Sequence, residues 1–135
     1  MSSRAQQLRD LGQSVWLDYI HRRELHSGVF AAQVRDQGVV GVTSNPTIFQ
    51  QAIGQGPDYD ASIERHLAEG RGAGAADPVG TLFEWLAVED VQTACDILRP
   101  LFTSTGGLDG PARRGAGPGA KELQAFQGNT GWASA

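Results

Sequence analysis

The sequence predicts an α/β fold with parallel strands, and three observations carry that expectation. Residues 38–44 are a short, valine-rich run (Val39, Val40, Val42), of the kind that fits a strand buried on both faces. The run ends in Thr43, Ser44 and Asn45 just before Pro46, and Asn then Pro is a helix start, with Asn as N-cap and Pro at the first helical position. An earlier apolar run, Val15 to Ile20, is separated from it by a helical stretch. Two strands joined by a crossover of that length make a βαβ unit. The polar cluster therefore stands where a strand's C-terminal end meets the next helix, the edge at which such folds bind ligands.

Taken in order, Ala5, Leu8 and Leu11 predict a short amphipathic helix over residues 3–11, ended by Gly12. Ser14 to Ile20 reads as a strand interrupted by Asp18. A carboxylate there is costly to bury without partners, so Asp18 faces a ligand site, is satisfied by backbone or Arg groups, or marks the strand's end. Ser27 is expected to cap a helix over 28–37, with Phe30 and Val34 one turn apart and Gly38 closing it. After the helix from Pro46 to Ile53, Asp58 is expected to cap another with Ile63 and Leu67 on one face. Residues 70–76 read as a flexible Gly/Ala connector.

Asp77-Pro78 repeats the cap-plus-proline start. The helix that follows is expected to reach about Arg99, with Leu82, Trp85, Leu86, Val91, Ala94, Cys95 and Leu98 as a buried stripe and Pro100 as its stop. From Pro111 the composition turns to Arg, Gly, Ala and Pro, which cannot bury enough apolar surface to hold a fixed conformation. Lys121 to Gln127 has the composition for a turn or two of helix. The domain bounds expected are thus 1–110 for a folded unit and 111–135 for a disordered tail.

Bulk properties exclude several classes. A net charge of -4 argues against nucleic acid, which attracts a basic stripe. No apolar run approaches the roughly 20 residues of a membrane span, and the N-terminus has no signal-peptide core. The single cysteine, Cys95, leaves no internal disulfide, fits a reducing cytosol and reads as a small buried hydrophobe. His21, His26 and His66 lack metal-site spacing and are expected to be solvated helix residues.

Three segments resemble one family. Gly41-Val-Thr-Ser-Asn-Pro-Thr-Ile-Phe49 is similar to the first signature of the transaldolases. Gly12-Gln-Ser-Val-Trp-Leu-Asp-Tyr-Ile20 matches upstream, and Asp90 to Pro100 with Leu108-Asp-Gly110 matches downstream. The resemblance spans roughly the first 110 residues, and the transaldolase domain of bifunctional transaldolase/glucose-6-phosphate isomerases is similar in the same way. It implies a (β/α)8 TIM barrel. A complete one runs to about 250 residues, so this chain is expected to hold an incomplete N-terminal portion, the first two strands and their helices. A third-strand Val-Ser-x-Glu-Val-like segment is absent after Gly110, and the break reads as a shifted reading frame.

The resemblance further implies Schiff-base transfer of a dihydroxyacetone unit from a ketose phosphate to an aldose phosphate, in the pentose phosphate pathway and the cytoplasm. It implies sugar-phosphate substrates and no cofactor. Asp18 matches the first-strand acid that moves protons, and Asn45 the asparagine that hydrogen-bonds the dihydroxyacetone unit, with Thr43 in the same site; Asn45 also reads as a plain N-cap. The family's third-strand glutamate, fourth-strand lysine and phosphate-binding residues find no counterpart. The only lysine is Lys121, with no apolar surroundings to depress its pKa, so the chain alone is expected to be inactive and poorly folded. The competing expectation is a noncatalytic helical binding module presenting the helix over 78–99.

Overall fold

β2, Val39–Ser44, is the strand on which the other elements lean. Val39 to Val42 are all buried, as a valine-rich run covered on both faces requires. In the computed structural model, residues 3–107, residue 109 and the backbone of 112–114 are described. β1, Val15–Leu17, lies parallel to β2, with Val15 opposite Val39, Trp16 opposite Gly41 and Leu17 opposite Val42. The chain enters through α1, Arg4–Asp10, where Ser3 and Gln6 form a reciprocal capping box.

The crossover from β1 to β2 differs from the expected single helix. It comprises α2 (Arg22–Ser27), α3 (Val29–Ala32) and a π-helical turn over Gln33–Gln37. Ser27 is not an N-cap but the last residue of α2. Helix already begins at Arg22 because Arg22 and Leu25 are anchored in the interior, and Gly28, in the left-handed region at φ 84°, makes the break. Phe30 is buried, Val34 packs beside it, and Gly38 closes the segment at φ 81°.

After β2 come α4 (Pro46–Gly54), a 3-10 turn (Pro57–Tyr59), α5 (Asp60–Ala68) and α6 (Pro78–Ser104). Asp58 does not cap α5. It sits inside the 3-10 turn that Pro57 starts, paired with Arg23 at 2.9 Å. α5 buries His66 (3 % exposed) beside partly buried Ile63, while Leu67 is 61 % exposed. His66 is therefore not a solvated residue; it hydrogen-bonds Glu89 through Nε2 at 2.9 Å. The connector over 70–76 takes the form of successive turns on left-handed Gly70, Gly72 and Gly74.

α6 passes through Pro100 instead of stopping there. Proline removes one helical hydrogen bond, at a cost of about 3 kcal/mol. Leu98, fully buried, and Leu101, packed on the same cluster, hold the next turn in place, and burying such a side chain contributes about 1.5–3 kcal/mol. The stripe is otherwise as expected, except that Trp85 is 40 % exposed and Asp90 is buried.

Two apolar clusters result. Ile20, Leu25, Phe30, Val39 and Val42 pack against Val91, Ala94 and Leu98 of α6. Phe49 and Tyr59 pack against Leu86 and Ala87, with the Phe49 ring edge-on to Tyr59 and Phe83 at 5.8 and 5.4 Å.

A third strand, β3 (Ala112–Arg114), pairs parallel with β2, Thr43 opposite Arg113. Two strands were expected, and the sheet runs β1-β2-β3. The edge of β2 presents backbone N–H and C=O groups that accept a neighbouring strand whatever its side chains. Lys121, the short helix expected over 121–127 and the rest of the tail beyond residue 114 lie outside the described residues. No helix among those described is long and apolar enough to cross a membrane.

Candidate active site

Side chains alternate along each strand, and here the alternation separates structure from chemistry. Leu17 and Val42 point to the helical side, into the cluster beneath α6. A small cavity on that side is lined by Leu17, Ile20, Leu25, Phe30 and Val42, with Tyr19, His21 and Glu24 also on its wall. Trp16, Gly41 and Thr43 belong to the opposite face. β1 ends at Leu17, and Asp18 follows at once, exposed at the strand's C-terminal end.

Thr43 joins the two strand ends. Its hydroxyl donates to Asp18 Oδ1 in a short hydrogen bond and also lies 3.4 Å from the Leu17 carbonyl oxygen. Asn45, next after β2, caps α4: its Oδ1 accepts from the backbone N–H of Thr47 at 3.0 Å and of Ile48 at 3.4 Å. The carbonyl end of the amide is thereby committed to the helix, and among the described residues no acceptor engages the Nδ2 end. The edge thus offers a carboxylate held by a hydroxyl and an amide N–H donor. A carboxylate is a proton acceptor and, once protonated, a donor; an amide N–H stabilises a substrate oxygen. The residues expected from the sequence, Asp18, Thr43 and Asn45, all stand at this edge, with Asp18 and Thr43 in contact.

Behind the site lies a network that sequence reasoning missed. Arg22 (6 % exposed) donates from Nε to Asp90 Oδ1 at 2.6 Å, and from its terminal nitrogens to Ser62 Oγ, Glu89 Oε2 and the Leu86 carbonyl. Tyr59 donates to Asp90 Oδ2 at 2.7 Å, beneath the Arg22 guanidinium. Burial lifts the Asp90 carboxyl above its ordinary range against the pull of Arg22, and burial also raises Tyr59. At Glu89 the burial penalty is outweighed by Ser62, Arg22 and Arg65, which hold its carboxyl low. Arg22 lies four residues after Asp18, so the network fixes the segment that leaves β1 at the site. No local pattern announces it, because its members lie up to 68 residues apart.

Among the described residues, no group of three or more His, Cys, Asp or Glu is placed to hold a metal ion. Cys95 is partly buried, and burial pushes its thiol up to about 11, which removes it from nucleophilic chemistry.

A parallel strand–helix–strand unit with an acid and an amide at its C-terminal strand ends defines the class: an α/β protein of the barrel-edge type, with polar chemistry outside the sheet's carboxyl end. Sequence comparison names the family. The family model described as Transaldolase/Fructose-6-phosphate aldolase matches residues 15–116, and the chain belongs to that family. It is 44% identical over 110 residues to a transaldolase of Thermobifida fusca, covering 82% of this chain and 28% of that protein. It is also 39% identical over 104 residues to transaldolase 2 of Nostoc punctiforme, covering 77% of this chain and 26% of the relative. The chain therefore spans about a quarter of the length of the curated relatives it matches.

Proposed function

We propose that this chain carries the acid-and-asparagine part of a transaldolase site, acting on sugar phosphates in the transfer of a dihydroxyacetone unit from a ketose phosphate to an aldose phosphate. The observation that supports this reading is the contact between Thr43 and Asp18 across the ends of two parallel strands, with Asn45 next in the chain at the start of α4. Asp18 moves the proton to and from a substrate hydroxyl as the carbon–carbon bond breaks and forms. Thr43 orients that carboxylate, and Asn45 donates from Nδ2 to an oxygen of the three-carbon unit. The reaction belongs to cytoplasmic sugar-phosphate metabolism and uses no cofactor.

The Schiff-base amine is not assigned to Lys121. An imine-forming lysine needs a dry or cationic site that keeps it unprotonated, and Lys121 follows Gly-Pro-Gly-Ala and precedes Glu122, with Leu123 and Phe126 the only large apolar residues within five positions. The 135-residue chain is accordingly a substrate-contacting element that forms no imine by itself. The alternative, a helical binding module displaying residues 78–99, is disfavoured by α6 itself, whose apolar stripe is spent on the chain's own core.

Saturation-transfer NMR with fructose 6-phosphate tests the reading. Transfer to the sugar's C1 and C3 protons is expected with the wild-type chain and is expected to fall at least severalfold in Asp18→Asn and Asn45→Ala. Equal transfer in all three proteins would remove both residues from the site.

A further inference from the structure

A large aromatic side chain, Trp16, stands outside both apolar clusters and is only partly buried. Its indole lies directly on Gly41 of β2: a Cβ built at Gly41 would fall 2.6 Å from two ring carbons, so only glycine leaves room for the ring. Trp16 and Gly41 are register partners, and along their strands Asp18 and Thr43 follow two residues later on the same face. Two residues of strand rise about 6.6 Å. The indole therefore forms a layer immediately beneath the Asp18–Thr43 pair, one sugar ring's depth below the strand ends.

We propose that Trp16 is the floor of the ligand site: its exposed ring face packs against the carbon chain of a sugar phosphate held by Asp18 and Asn45, and it sets how deep that ligand sits. The proposal deepens the functional reading above and rests on it. The chemistry is complementary, since a ketose phosphate presents hydroxyls at its rim and aliphatic C–H groups along its chain. An aromatic face takes up the C–H groups while the carboxylate and amide take the oxygens. Gly41 is part of the device, because any side chain there would displace the indole.

The test uses the full chain with Trp85→Phe and Trp132→Phe, so that Trp16 is the sole indole, titrated with fructose 6-phosphate. Trp16 emission and saturation transfer to the sugar are recorded together. A saturable change in Trp16 emission that tracks saturation transfer is expected. Trp16→Leu is expected to weaken binding about fivefold, the order of one lost aromatic contact, and Trp16→Phe to recover most of it. Circular dichroism of each variant confirms that the fold is retained. Sugar binding with unmoved Trp16 emission and an unchanged affinity in Trp16→Leu would overturn the floor alone. Absence of any saturation transfer would overturn it together with the functional reading.

Discussion

Asn45 caps α4 with its amide oxygen. In the proposed site its amide nitrogen donates to the sugar, so the two roles are separable by substitution. Asn45→Ala should destabilise the chain by about 1 kcal/mol through loss of the cap and also lose the ligand contact. Asn45→Asp should keep the cap to within a few tenths of a kcal/mol yet still lose sugar contact, because a carboxylate offers no N–H. Urea unfolding and saturation-transfer NMR on the same samples check both halves. At Cys95 burial pushes the folded thiol up from 9.0 to about 11. A raised folded value means stability is fully present below pH 9 and is lost as pH rises from 9 toward 11. Cys95→Ala should flatten that alkaline decline, read from thermal midpoints across the range. Asp18, Thr43 and Asn45 were named from the family resemblance, and what the sequence made legible by itself was their place at the strand ends, where Asp18 meets Thr43 and Asn45 caps α4. The buried character of Arg22, Asp90 and His66 was not legible, because a charged residue in a helix carries no local mark of a partner tens of residues away.

At the scale of elements, the cap-plus-proline starts of α4 and α6 formed where their sequences indicated. Asn45 and Asp77 both accept hydrogen bonds from the backbone of their own first turns. The starts at Ser27 and Asp58 failed for a common reason, that a buried anchor outweighed a cap. Arg22 and Leu25 began helix upstream of Ser27, and buried Tyr59 held the 3-10 turn that absorbed Asp58. Pro100 failed as a stop because the core claims Leu98 and Leu101 on either side of it. Pro100→Ala should stabilise α6 by about 1–3 kcal/mol, the helix-interior penalty of proline less what the unfolded chain regains, measured by chemical unfolding. The Arg22–Asp90–Tyr59 network ties α2 to the 3-10 turn and α6. Arg22→Met alone leaves the Asp90 carboxylate buried and unpaired and should cost about 3–5 kcal/mol, whereas Arg22→Met with Asp90→Leu should return most of that loss. A double variant no more stable than the single one would show that the pair contributes more than its own desolvation.

For the molecule as a whole, the parallel βαβ unit and its polar carboxyl edge followed from two apolar runs and the residues between them. The third strand did not, since Ala112–Arg114 has no strand-like composition and joins through backbone pairing to β2. Family membership rests on residues 15–116, and the chemistry proposed rests on three residues at one edge of the sheet. The central claim is that this chain presents an acid and an asparagine to a sugar phosphate without an imine-forming lysine. Borohydride reduction in the presence of fructose 6-phosphate, followed by peptide mass analysis, tests it most directly. The Lys121 peptide is expected to be recovered unmodified. A reduced sugar adduct on Lys121 that disappears in Asp18→Asn would contradict it, and would place the lysine in the same site as the acid.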